Sequence, residues 1–218
     1  MKPRTILLPR LALVIALTGA CATVPQPEVA RETSKEARLS LGVMPPAFEL
    51  GYRLTFTNPR LGEWDYVYRG QREGLLVFEN VYKGETFDWL YAPDLAEVRS
   101  VGRPAGHDGR PEIENTPHNG MLKFPLLVGK RWQHSYTRAV GKDVTQRSLH
   151  AKVTAYERVT VPAGTFAAFR IETTNRRLDR ALPAYETYWY APEVKFIIKY
   201  ESREFGWEFE LLRYGPSQ

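Results

Sequence analysis

The side chains suited to chemistry fall into a few groups along the chain. Cys21 is the only cysteine, so its thiol has no disulfide partner in the chain and is open to alkylation. His107, Asp108, Glu112, Glu114 and His118 gather imidazole and carboxylate in one segment, a donor set that suits several divalent ions. Their spacing matches no recognised metal site, and a solvated loop explains them too. Ser135 and Ser148 lie near His134 and His150, but closeness in sequence does not by itself build a dyad. His134 shares a strand face with Trp132 and Tyr136, which reads as a hydrogen-bonded core or rim histidine. Arg176, Arg177 and Arg180 form a basic turn, whose guanidinium forks suit lipid phosphates or the carboxylates of a partner. A solvated hairpin tip accounts for them equally. There is no G-x-S-x-G elbow, H-E-x-x-H, Walker loop or Rossmann glycine pattern. No catalytic residue, metal or cofactor is therefore assigned.

The chemistry of Cys21 is set by what precedes it. Lys2, Arg4 and Arg10 give a positive start, Leu11 to Leu17 is apolar, Thr18-Gly19-Ala20 follows, and no acidic residue occurs before Glu28. That order is the order of a secretory signal. Its apolar core is far short of the roughly 20 residues needed to span a bilayer. Leu17-Thr18-Gly19-Ala20 before Cys21 resembles a bacterial lipobox, although Leu17 stands one position further from the cysteine than the usual aliphatic residue. The resemblance implies a signal peptide over residues 1–20, cleavage between Ala20 and Cys21, and a diacylglyceryl group on Cys21. Ala22, where an Asp would favour the inner membrane, implies the outer membrane. Plain secretion, with a cut after Ala20 or Ala22 and a free thiol, is the alternative.

Removing residues 1–20 from the 218 leaves 198, enough for one sizeable domain. Three of the 30 basic residues and none of the 25 acidic ones lie in that segment, so the net charge falls from +5 to +2. The basic balance is thus partly a property of the signal and gives no support for nucleic-acid binding. Residues 21–46 read as the lipidated cysteine and a polar, proline-bracketed tether. A flexible stretch of that length spans about 25–30 Å, enough to hold a domain clear of headgroups.

Beyond residue 47 the apolar period becomes two. Tyr52, Leu54 and Phe56 alternate with Arg53, Thr55 and Thr57; Trp64, Tyr66 and Tyr68 oppose Glu63, Asp65 and Arg69. With turn signals at strand-length intervals, this predicts an all-β fold. The expected form is a single antiparallel β domain over 47–218, of about ten to eleven strands, as a curved sheet, roll or half-open barrel. The strands are expected at 47–57, 63–69, 74–82, 85–91, 95–101, 130–138, 144–161, 165–177, 184–190, 194–203 and 205–214. Residues 102–120, rich in proline and glycine, read as one long loop. The run Trp89 to Leu95 echoes Tyr188 to Val194, which suggests two related halves, 47–101 and 121–214. Duplication and shared turn chemistry both account for the echo.

The aromatic residues give the strongest hint of a ligand. Trp64, Tyr66, Tyr68, Trp132, Trp189, Tyr190, Trp207 and Phe209 are expected on the inner face of the curved sheet. In a tightly closed sheet they fill a core; in a half-open barrel they line a site for an acyl chain or another amphipathic molecule.

Gly129-Lys130-Arg131-Trp132, Val161-Pro162-Ala163-Gly164-Thr165-Phe166 and Tyr188-Trp189-Tyr190-Ala191-Pro192-Glu193-Val194-Lys195 resemble a group of secreted bacterial β-rich domains of unknown function. The likeness covers about residues 120–214 and implies an antiparallel β fold and an envelope location, without a reaction. The expected function is a non-catalytic outer-membrane lipoprotein, facing the periplasm as a binding or assembly module. A carrier or sensor of a lipid or other hydrophobic ligand is the alternative, and an envelope hydrolase the third.

Overall fold

The computed structural model describes residues 42–82, 85–102, 112–203 and 207–216. The signal, Cys21, most of the tether, His107 and Asp108 lie outside the described residues, as does the side chain of Trp207. Twelve strands follow one another: β1 (Tyr52–Asn58), β2 (Gly62–Arg72), β3 (Leu75–Tyr82), β4 (Glu85–Tyr91), β5 (Glu97–Gly102), β6 (Ile113–Thr116), β7 (Arg131–Val140), β8 (Asp143–Val161), β9 (Gly164–Arg177), β10 (Ala184–Ala191), β11 (Phe196–Ser202) and β12 (Trp207–Pro216). Each pairs antiparallel with the next, and β1 pairs with β12, so the sheet is a closed barrel. Full closure removes the free edges that a roll or half-open barrel would leave exposed.

The two faces of this wall follow from the period-two pattern. Leu54 and Phe56 on β1, Tyr68 on β2, and Leu76 and Phe78 on β3 are buried in the core. The alternate positions carry charge, paired across strands, Arg53 with Asp65, Arg69 with Glu79 and Lys199 with Glu210, and along β11, Lys199 with Glu201. A membrane-spanning barrel needs an outward apolar band. This outer wall has the opposite polarity.

One end of the barrel is filled. The topology sends the segments 42–51 and 117–130 to the same end as the β2–β3, β4–β5, β8–β9 and β10–β11 turns. Val43 and Leu126 exchange backbone hydrogen bonds of 2.9 and 2.8 Å, and Leu122 and Leu126 are fully buried. Phe48 packs edge-on against Phe78, with ring centroids 5.1 Å apart. Residues 42–46 therefore belong to the domain rather than to the tether, and β1 begins at Tyr52 rather than at 47. Val43 and Phe48 both pack against the core at this end.

Two segments depart from the expected boundaries. Within 102–120, Ile113–Thr116 is strand β6, which bridges β5 and β7. Asn115 is buried there and donates to Glu97 Oε1 at 2.8 Å, so a polar side chain supplies the inward contact that apolar residues make elsewhere. The two echoed runs form the β4–β5 and β10–β11 turns at the filled end. They share a buried tyrosine, Tyr91 or Tyr190, and a buried Leu95 or Val194. Their hydrogen bonds differ: Leu95 N donates to Ala92 O, whereas Lys195 N donates to Ala191 O.

Gly120 fixes the entry of the filled end. It has φ +67, and a Cβ there would lie 2.5 Å from two carbons of the His134 ring. Trp132 Nε1 donates to its carbonyl at 2.8 Å. Gly120→Ala is expected to cost about 1–3 kcal/mol, read as a lower urea midpoint; an unchanged midpoint would mean that His134 yields freely. Gly164, at φ 136, closes the tight β8–β9 connection after Pro162-Ala163.

Candidate functional site

Inward-facing residues near the other end enclose a cavity of about 960 Å³. It lies toward the end that holds the β1–β2, β7–β8 and β9–β10 connections, because its rim is drawn from strand ends on that side: Leu61, Tyr82, Gly102, Glu112, Arg147 and Asn175. The floor includes Tyr91, Met121 and Phe196, which rest on the filled end. The volume falls within the range of pockets that hold one small molecule.

The wall of this lumen is two-sided. Strands β2, β3, β4, β11 and β12 contribute Trp64, Tyr66, Tyr82, Phe87, Trp89, Tyr200 and Phe209, an almost unbroken aromatic surface. Phe209 meets Trp64 and Phe56 edge-on, at 5.8 and 5.1 Å between centroids, so these rings hold one another upright. Strands β5 to β10 contribute Glu97, Tyr136, Arg138, Arg147, Asn175 and Glu186. An apolar wall facing a hydrogen-bonding wall suits an amphipathic guest.

The polar wall is largely satisfied by its own contacts. Arg138 reaches Glu97 Oε1 at 2.9 Å and Asn115 Oδ1 at 3.0 Å. Glu186 accepts from Tyr188 at 3.1 Å, from Tyr200 at 3.0 Å and from Thr173 at 3.3 Å. Burial pushes the Tyr188 and Tyr200 hydroxyls above the ordinary phenol range, and Glu186 adds to the effect. Both remain neutral and donate to Glu186. Asn175 Nδ2 donates to the Tyr136 hydroxyl at 3.0 Å.

The expected aromatic residues divide by position. Trp64, Tyr66 and Phe209 line the lumen. Tyr68 is buried against Phe48 and Phe78, and Tyr190 packs edge-on against Phe124, both in the filled end. Trp132, held by Gly120, also belongs there. Trp189 lies on the outer wall, between Arg170 and Lys199 at 5.9 and 5.5 Å, and donates to Glu157. Its neighbour Tyr188 takes the inward place. Phe87, Trp89 and Tyr91 went unrecognised as lining residues, although their alternation with Asp88 and Leu90 carries the same period-two signal.

The remaining candidates do not converge. Arg177 is engaged by Asp179 and Asp143, at 2.8 and 3.2 Å, and those contacts, led by the Asp179 hydrogen bond, raise its pKa. Arg176 and Arg180 are exposed. His134 stacks on His118 with centroids 4.5 Å apart and binds the His118 carbonyl. Burial, then His134, hold the His118 imidazole below its usual range. Glu114 faces outward on β6, away from His118. Among the described residues no group of three or more His, Cys, Asp or Glu could hold a metal ion. Ser135 and Ser148 are cross-strand partners on the outer wall, on the opposite face from His134. A shallower depression of about 620 Å³ crosses the outer wall over β7 to β10, lined in part by His150, Lys152, Glu172 and Tyr185.

No family model and no curated protein match the chain. Among solved structures, the hypothetical lipoprotein YmcC from Escherichia coli superposes with a TM-score of 0.51 at 10% identity, over 89% of this chain and 100% of that one. A lipoprotein candidate from Parabacteroides distasonis gives a TM-score of 0.39 at 11% identity, over 77% of this chain and 96% of its own. At such identity the first likeness is one of fold, and the second carries no argument.

Proposed function

We propose that the chain is a non-catalytic lipoprotein of the outer membrane, facing the periplasm, whose barrel holds one amphipathic molecule in its lumen. The cavity of about 960 Å³ with its aromatic wall carries this reading. A barrel built only to present a surface would fill its interior on both sides of the floor, as this one does at the other end. The anchor rests on Cys21 and the lipobox-like run before it, and the fold likeness to a hypothetical lipoprotein agrees with it. The described chain enters the barrel at the filled end, through Val43. A surface-binding role has its own support at the opposite end, where Leu178 and Leu182 are 60% and 77% exposed beside Arg176 and Arg180.

The test is a titration of the purified lipoprotein with N-phenyl-1-naphthylamine, a neutral dye that brightens in apolar surroundings. A saturable rise in fluorescence is expected, and Met121→Trp, which puts a larger ring into the lumen floor, should weaken it by about tenfold, or 1.4 kcal/mol. A flat titration of the native protein would overturn the reading.

A further inference from the structure

We propose that the lumen selects a guest with an anionic head and that Arg147 is the residue that receives it. This rests on the lumen being the ligand site. Arg147 lies near the start of β8, opposite Tyr136 on β7, with its side chain on the polar wall of the cavity. Among the described residues its one side-chain hydrogen bond is a long contact of 3.4 Å from Nε to Thr145 Oγ1. Among the described residues no carboxylate pairs with it. The other lumen charges differ: Arg138 is held by Glu97, and Glu186 accepts from two tyrosines and a threonine. Glu112, at the rim, is exposed to solvent.

Arg147 is half-buried, and among the described residues its terminal nitrogens make no hydrogen bond, so they are open to an oxyanion in the lumen. Its planar fork matches the two oxygens of a carboxylate, phosphate or sulfate ester. The Tyr136 hydroxyl and the Asn175 amide stand on the same stretch of wall and offer further polar contacts to such a head. The guest's tail would then cross to Trp64, Tyr66 and Phe87. The class is therefore a single-chain amphiphile bearing an oxyanion, whether a fatty acid or a lipid phosphate.

Two dyes of nearly the same shape isolate the charge: N-phenyl-1-naphthylamine is neutral, and 1-anilinonaphthalene-8-sulfonate carries a sulfonate. Arg147→Gln is expected to weaken the sulfonate by about tenfold and to leave the neutral dye within about twofold. Arg147→Lys should keep part of the preference, and Arg158→Gln, at an exposed position, should change neither dye. Equal loss of both dyes in Arg147→Gln, or no loss of either, overturns the assignment of the head site while native binding of the neutral dye upholds the lumen. Failure of the native protein to bind the neutral dye removes the lumen itself. Competition by dodecanoate and dodecyl phosphate, with dodecanol as the uncharged control, distinguishes the two sources. Each acid should displace the neutral dye more weakly from Arg147→Gln than from the native protein, and the tighter of the two names the head.

Discussion

Phe78→Ala is expected to destabilise the barrel by about 3–5 kcal/mol and to lower its melting temperature by about 6–20 °C. Phe78 is fully buried, and its ring joins the filled end to the lumen floor. Its centroid lies 5.1 Å from Phe48, 5.3 Å from Tyr68, 5.5 Å from Phe196 and 5.7 Å from Tyr91. Removing it unseats Phe48, and with it the segment that closes the barrel from the N-terminal side. The surrounding strands are fixed by their ladders and cannot collapse into the space, so the cavity term adds to the lost transfer energy. Phe209→Ala provides the contrast. That ring is half-buried and already faces the lumen void, so its truncation should cost less. Thermal melts followed by near-ultraviolet circular dichroism measure both. A larger loss from Phe209 than from Phe78 would show that the barrel is not held together at Phe48 and Phe78.

The strands were legible because one face of each is wet. Alternation such as Tyr52-Arg53-Leu54-Thr55-Phe56 declares its own orientation, and proline or glycine marks where it stops. Closure was not legible. It depends on β1 meeting β12 across the length of the chain, and no local pattern encodes that. Strand β6 is too short for periodicity, and one of its two inward residues is an asparagine. The site was half legible for a related reason. Tyr188-Trp189-Tyr190 is apolar at every position, so its parity is undefined until the partners are known. Arg170 and Lys199, cross-strand neighbours of Trp189, then give it an apolar bed on the outer wall from their side-chain stems. Arg138, Arg147 and Glu186 were hidden because a charged residue in a strand normally points to water. Their inward direction follows from the register with Tyr136 and Tyr188, which only the assembled barrel displays.

Cys21→Ser is expected to abolish incorporation of a palmitate analogue and to move nearly all of the protein from the membrane to the soluble fraction. Each buried methylene contributes about 0.8 kcal/mol, so two or three acyl chains hold a protein to a bilayer in an effectively permanent way. Little else in the described residues could replace them. The outer wall is laced with ion pairs such as Arg53–Asp65 and Arg213–Glu63, which lipid would not solvate. The exposed Leu178 stands between Arg177 and Asp179. The same variant should keep its barrel, since the chain from Val43 onward makes the described contacts, and it should bind the neutral dye as the native protein does. Membrane retention that survives the substitution would contradict the anchor. A rise in dye binding alongside release would instead place the lipid of the chain's own cysteine in the lumen, and would make the guest an intramolecular one.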